Sequence, residues 1–361
     1  MTENVKIIIT APSLNPKENV SGISSVVQFI INNNHTVEYV HFEVGRKDAE
    51  TLNKFNRFQR VFRNRKEWIA LLKKNYNALI HYNLPLMRGA IIRDYILLQA
   101  AHKMRLPIVL HIHGGYYMKN RNRPWYIRKM LCSIFSWSKE VITLSDEEKN
   151  ILKEDFQLNN VHSLPNCIDL TDAKSFKREQ KDDKPLSILY LGRIEKNKGI
   201  DYIIDACRCL INKGVDFVLN FAGKEENEGE YIPRLQQILG DKFIYHGVVF
   251  GDVKTQLIKH CDVFLLPSFF EGLPMSLIET MSFGEVPIVT NVGSISSLVE
   301  DNKNGLFIQM KSDDDIVEKI IMLNNNFVLR KKLSDAAQKT VFSLYDDKRY
   351  IEQLNQLYGI N

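Results

Sequence analysis

Three signatures are missing from this chain, and each absence removes a class of function. No apolar run is long enough to span a bilayer. Neither G-x-G-x-x-G nor G-x-x-x-x-G-K-[ST] occurs, so dinucleotide-dependent dehydrogenases and P-loop phosphotransferases lose their usual phosphate loop. The five cysteines, Cys132, Cys167, Cys207, Cys209 and Cys261, are odd in number and contain no C-x-x-C pair. Reduced thiols in a cytoplasm are therefore expected, rather than disulfides or a zinc site. The segment MTENVKIIIT has neither the basic region nor the small-residue cleavage site of a secretory signal, which also points to the cytoplasm. Internal repeats and low-complexity tracts are absent.

What is present is a chain too long for one ordinary core. Its 361 residues favour two domains, and 44% hydrophobic with 25% charged residues suits a globular protein. The charge is divided unevenly. Residues 1–165 carry 24 Lys+Arg against 14 Asp+Glu, and residues 166–361 carry 24 against 29, so +10 and −5 make the net +5. Only the first half is then suited to an anionic surface.

Short β-branched runs alternate with helical stretches. Strands are expected at Val5–Thr10, Val37–Phe42, Ala78–His81, Pro107–His113 and Val141–Leu144, with helices at Ser24–Asn32 and Ile91–Lys103 and two helical pieces within 46–74. The alternation breaks near Leu164–Asp169 and the polar stretch Lys174–Lys184. It restarts with strands at Leu186–Tyr190, Phe217–Phe221, Phe243–Tyr245, Asp262–Pro267 and Val286–Thr290, and helices at Ile200–Asn212 and Ile232–Leu239. The fold class is α/β, with two doubly wound Rossmann-like domains expected to face each other across a cleft. The expected boundaries are 1–165, 166–342 and a terminal helix in 343–361. Ligands of such sheets sit beyond the carboxyl ends of the strands, which singles out the loops after Thr10, His113, Leu191, Phe221, Tyr245 and Pro267.

The most informative of these loops holds two glutamates eight positions apart, in Glu271-Gly272-Leu273-Pro274-Met275-Ser276-Leu277-Ile278-Glu279. A helix is expected from Pro274, with proline near the first turn where a missing N–H costs nothing. Its amino terminus favours an anion, so two carboxylates would bracket a phosphate seat, as a nucleotide sugar requires. Gly192-Arg193 and Lys198-Gly199 follow another strand. Arg193 could grip a phosphate through two N–H groups and Lys198 could add a point charge, unless this is a solvated basic turn with Lys196 in solvent. His111 and His113 share a face of one strand. His111 suits a packed core histidine, whereas His113 precedes Gly114-Gly115, where backbone could approach a ligand. Gly22 lies in the first strand-to-helix loop and could do the same. Asp313-Asp314-Asp315 offers a superficial Asp-x-Asp metal motif but fits ordinary helix opening better. Residues 54–74 interleave eight basic residues with apolar ones, which fits a core-packed helix or one resting on anionic lipid.

Taken together, these residues resemble the retaining glycosyltransferases of family 4, with the GT-B fold. The resemblance covers nearly the whole chain and is strongest over about 186–310. It rests on Gly192-Arg193 with Lys198-Gly199, on the E-x7-E stretch ending at Glu279, on Pro165-Asn166-Cys167-Ile168-Asp169 and on Asn304-Gly305-Leu306. It implies that Glu279 bonds the ribose hydroxyls and that Glu271 holds the donor sugar, orienting it and acting electrostatically rather than as a nucleophile. Arg193 and Lys198 would hold the diphosphate, the backbone of Gly272, Leu273, Pro274, Met275 and Ser276 would contact sugar and phosphate, and His113 would reach the donor sugar. Val248, in His246-Gly247-Val248, would pack on the base, and Gly22, in the acceptor-side loop, would contact the donor's phosphate or sugar. The implied reaction moves a sugar from a nucleotide-sugar donor, a UDP-sugar, to an acceptor hydroxyl with retention. No metal and no cofactor are expected. A lipid-linked glycan in surface-polysaccharide assembly is the expected acceptor, with peripheral contact between the basic half and the inner face of the cytoplasmic membrane, and no nucleic-acid partner. A GT-B nucleotide-sugar 2-epimerase and a non-catalytic nucleotide-sugar-binding subunit are the alternatives. The chain departs from the family at Ser21-Gly22, which stands for two glycines, at Cys167, which stands for glycine, and at Gly293–Ser297, which places Ser297 at a carboxylate position.

Overall fold

A computed structural model describes residues 5–15, 17–19, 21–45, 54–179, 185–227 and 229–360; for 54–59 and 119 only the backbone is described. The chain forms two compact units, Met1–Cys167 with Asp347–Asn361, and Ile168–Asp346.

The first unit alternates β1 (Lys6–Ala11), α1 (Gly22–Asn33), β2 (Glu38–Glu43), α2 (Lys54–Lys74), β3 (Leu79–Leu84), α3 (Arg88–Lys103) and β4 (Ile108–Ile112). It continues with α4 (Tyr116–Lys119), α5 (Trp125–Trp137), β5 (Glu140–Thr143), α6 (Asp146–Phe156) and β6 (Val161–Ser163). All its strand pairings are parallel, in the order β2-β1-β3-β4-β5-β6. The central strands β3 and β4 are buried at every residue, as expected for a sheet covered on both faces. The helix over 54–74 is continuous rather than in two pieces; residues 46–53 lie outside the described residues. It is anchored by buried Trp68 and Leu72, and Trp68 Nε1 donates to the Leu97 carbonyl at 2.9 Å. Gly22 is the first residue of α1, with Ser21 as the N-cap, not a loop residue.

The second unit begins with α7 (Thr171–Ser175), β7 (Leu186–Leu191), α8 (Ile200–Asn212), β8 (Phe217–Ala222), α9 (Ile232–Leu239), β9 (Phe243–Tyr245) and α10 (Gly251–His260). It ends with β10 (Val263–Leu266), α11 (Met275–Ser282), β11 (Val286–Thr290), β12 (Leu306–Ile308), α12 (Asp313–Asn325) and α13 (Phe327–Leu344). Its parallel sheet runs β12-β11-β10-β7-β8-β9. The last helix, α14 (Asp347–Tyr358), belongs to the first unit, where Tyr350 meets Phe29 edge-on at 5.6 Å.

The two strand orders differ, and the difference locates the crevices. In the first sheet the winding direction reverses between β1 and β3, and in the second between β7 and β10. At such switch points the loops diverge to opposite faces and leave a ligand crevice beyond the strands' carboxyl ends.

Candidate active site

The switch point of the second unit gathers the sequence motifs. The β7 loop turns through a short 3-10 helix, Lys196–Lys198, and enters α8 at Gly199, whose φ of 74° is left-handed. A Cβ at Gly199 would collide with the Pro267 carbonyl oxygen, so glycine lets the β7 and β10 loops touch. Phe269 N–H donates to the Asn197 carbonyl at 2.9 Å, tying the loops together. Across that contact Lys198 Nζ donates to Glu271 Oε1 at 2.6 Å. Both side chains are largely shielded, so the pair is stronger than a surface ion pair. Lys196 is exposed.

Glu271 sits in the loop between β10 and α11, and Glu279 in the second turn of α11. Pro274 is the N-cap and offers no side-chain cap to the first N–H groups, which leaves them available to an anion. Leu273 and Met275 point into the core, so at these two positions only backbone can meet a ligand; Gly272, Pro274 and Ser276 keep partial exposure. From below, Gly293 supports the loop. Its φ is 61°, a Cβ there would collide with the Glu271 carbonyl, and Ser294 N–H donates to the Gly272 carbonyl at 2.9 Å. Ser297, at the family's carboxylate position, turns its hydroxyl back onto the Ser294 carbonyl at 2.6 Å.

Two partners were not singled out from the sequence. Arg193 Nη1 donates to Glu226 Oε1 at 2.6 Å, from the loop after β8. Lys254 Nζ, on α10, donates to Glu279 Oε1 at 2.7 Å. Neither carries a local spacing signal, because each pair joins separate strand–helix units. The β8 loop comes close to Arg193 because Gly223, at φ 145°, packs where a Cβ would collide with the Gly192 carbonyl oxygen. Gly223 N–H also donates to the Gly247 carbonyl at 2.7 Å, which fixes the β9 loop beside it. Val248, next in that loop, is exposed.

In the first unit, His113 follows the last residue of β4. Its N–H donates to the Leu84 carbonyl, and Leu86 N–H donates to the Gly114 carbonyl. Gly115 is required for that zipper: its φ is 122°, and a Cβ would lie 2.5 Å from Leu86 N. The close approach that Gly115 permits is to Leu86. The His113 ring lies 2.6 Å, through Nε2, from Asn83 Oδ1, and its centroid is 4.2 Å from that of His111. His111 is fully buried and pairs through Nδ1 with His81 Nε2 at 3.2 Å, as a packed histidine should. Burial lowers His113 and His81 to about 3, with His113 adding to the effect on His81, and it holds His111 well below its ordinary value. Gly22 begins α1 of the same unit, beyond β1. Asp313, Asp314 and Asp315 open α12, where Ser312 Oγ accepts from Asp315 N–H.

Comparison with known proteins identifies the family and the fold. The family model for Glycosyltransferase Family 4 matches residues 24–172, and that for Glycosyl transferases group 1 matches residues 171–340. An uncharacterized glycosyltransferase of Haemophilus influenzae is 30% identical over 203 residues, 55% of each chain, so the match spans about half that relative's length. The UDP-Gal:alpha-D-GlcNAc-diphosphoundecaprenol alpha-1,3-galactosyltransferase of Escherichia coli is 22% identical over 281 residues, 72% of this chain and 70% of that one. Among solved structures, HepE of Anabaena in complex with UDP-glucose superposes with a TM-score of 0.75 at 15% identity, over 99% of this chain and 100% of that one. With two parallel six-stranded sheets and both halves matched, the chain belongs to the GT-B glycosyltransferases of the family 4 type.

Proposed function

We propose that this chain transfers a sugar from a UDP-sugar to the hydroxyl of a lipid-linked glycan, with retention of anomeric configuration and without a metal ion. The observation that carries the reading is the Lys198–Glu271 pair at the switch point, beside the uncapped amino terminus of α11. A nucleoside diphosphate brings negative charge to that terminus, and Lys198 and Arg193 can exchange their carboxylate partners for phosphate oxygens. The same two cations stabilise the diphosphate as it departs, which supplies the charge neutralisation a metal would otherwise give. Glu271, released from Lys198, orients the donor sugar, and Glu279 bonds the ribose hydroxyls. His113 is assigned to the donor sugar from the first unit. The named substrates of the Escherichia coli relative and the UDP-glucose complex of HepE support a UDP-sugar, and the former supports a lipid-linked acceptor.

The test is a panel of nucleotide sugars with the purified chain. Binding is read by thermal shift, and slow hydrolysis or transfer by mass spectrometry. A UDP-sugar should stabilise the protein and release UDP. Stabilisation by none of the panel would sink the reading, and an epimerised donor as the sole product would redirect it to epimerase chemistry.

A further inference from the structure

Asn83 is the last-but-one residue of β3, directly at the switch point of the first sheet, and it is buried. Its backbone N–H donates to Thr10 Oγ1 at 3.0 Å, and its Nδ2 lies 2.7 Å from the Thr10 carbonyl oxygen. A carbonyl oxygen only accepts, so the side-chain amide can stand one way alone, with NH2 towards Thr10 and Oδ1 towards His113. Oδ1 also only accepts. The His113 nitrogen 2.6 Å from it, Nε2, must then carry the ring proton. The ring cannot turn over easily, because His111 lies against it with ring planes 33° apart.

The neighbouring rings are linked to α14. Tyr358 Oη lies 3.3 Å from Tyr39 Oη and 2.6 Å from His81 Nδ1, and His81 Nε2 lies 3.2 Å from His111 Nδ1. Burial holds His111 well below its ordinary value, so it is neutral and gives no anionic face to stabilise a cation on His113.

We propose that Asn83 is a positioning residue that holds His113 as the neutral Nε2–H tautomer, leaving Nδ1 as a hydrogen-bond acceptor for a hydroxyl of the donor sugar. The proposal deepens the donor-sugar assignment of His113 and rests on it. It makes His113 an orienting acceptor rather than a proton donor. Burial acts in the same direction, since it lowers the ring to about 3.

The test is spectroscopic and needs no acceptor. The full chain, labelled with 15N, is examined by long-range 1H–15N correlation at pH 7, and the His113 signals are identified by their loss in His113→Gln. The wild type should show one ring with a protonated Nε2 and a bare Nδ1. Asn83→Ala should show both tautomers in exchange and lose about tenfold or more in kcat/KM for UDP-sugar turnover. A proton on Nδ1 in the wild type, or an unchanged single tautomer in Asn83→Ala, would overturn the proposal. If Asn83→Ala does not fold, the wild-type spectrum alone decides the tautomer. Titration of the same sample with UDP-glucose reads the donor assignment separately, through the His113 ring signals. His113 signals that do not move at saturating UDP-glucose overturn that assignment, whereas a proton on Nδ1 overturns the roles of Asn83 and of Nδ1.

Discussion

Lys198 and Glu271 meet at 2.6 Å between the β7 and β10 loops, so the proposed phosphate-binding cation and the proposed sugar-binding carboxylate neutralise each other in the second unit. Removing either member has opposite consequences for the nucleotide. In Glu271→Ala, Lys198 loses a competitor of the diphosphate, so UDP should bind as well as in the wild type or better. Transfer should fall by about 10²–10³-fold, the size of a lost transition-state contact. Lys198→Ala should instead weaken UDP by about 10–100-fold, since a charge-assisted hydrogen bond is worth about 1.5–3 kcal/mol. Calorimetric titration with UDP and a mass-spectrometric transfer assay separate the two patterns. Full activity in Glu271→Ala would remove that residue from the chemistry.

Glu279 presents a second such pair, with Lys254 at 2.7 Å. If it reads the ribose, wild-type protein should prefer UDP to 2′-deoxy-UDP by about tenfold, the worth of one hydrogen bond to a charged group. Glu279→Ala should bind both nucleotides equally, at the weaker affinity. A preference that survives the substitution would show that the ribose is read elsewhere.

Gly293 tests whether the loop is held from below. Gly293→Ala meets two obstacles, a left-handed φ of 61° and the Glu271 carbonyl. It should cost about 1–3 kcal/mol and lower transfer more than it lowers UDP affinity, because Glu271 is displaced first. Gly89→Ala is the matched control. Gly89 lies in the first turn of α3 with nothing within 4 Å of an added Cβ, and the change should be neutral or stabilise by up to about 1 kcal/mol. Equal Tm losses in the two variants would contradict this account.

His81, fully buried, and His113, partly buried, predict a pH dependence of stability. His81 and His113 are lowered from 6.5 to about 3, so the unfolded chain binds protons that the folded chain does not. Stability from this source is complete above pH 6.5 and is lost as pH falls from 6.5 towards 3. At pH 5 the loss is about 2 kcal/mol for each ring. All three tryptophans, Trp68, Trp125 and Trp137, lie in the first unit, so denaturant unfolding followed by tryptophan fluorescence reports on it. The midpoint should drop between pH 7 and pH 5, and a flat profile would contradict neutral burial of the two rings.

The interior strands were legible because buried parallel strands are nearly continuous apolar runs: Leu186–Leu191 and Val286–Thr290 announce themselves. Two three-residue edge strands, Val161–Ser163 and Leu306–Ile308, were not, whereas Phe243–Tyr245, equally short and also at an edge, was. Likewise Glu271 and Glu279 carry a spacing within one loop and helix, whereas Glu226 and Lys254 reach the site only through folding. Asn83 was invisible for the same reason. Its role exists only once β1, β3 and β4 lie side by side and bring Thr10 and His113 to it.

The membrane-facing prediction rests on α2. Trp68 and Leu72 are turned into the core, while Arg63, Arg65, Lys66, Lys73 and Lys74 are exposed, and Phe62 is 57% exposed. Among the described residues no helix is long and apolar enough to cross a membrane, so any attachment through this helix is peripheral. Each basic residue near an anionic surface contributes about 1 kcal/mol at low salt, and screening removes most of it near 0.5 M. Vesicles containing anionic lipid should therefore retain the protein at about 20 mM salt and release it at about 500 mM. Arg63→Glu with Lys66→Glu should abolish retention while leaving UDP binding by the second unit unchanged. Equal retention on neutral and anionic vesicles would instead assign the contact to Phe62 and other apolar side chains.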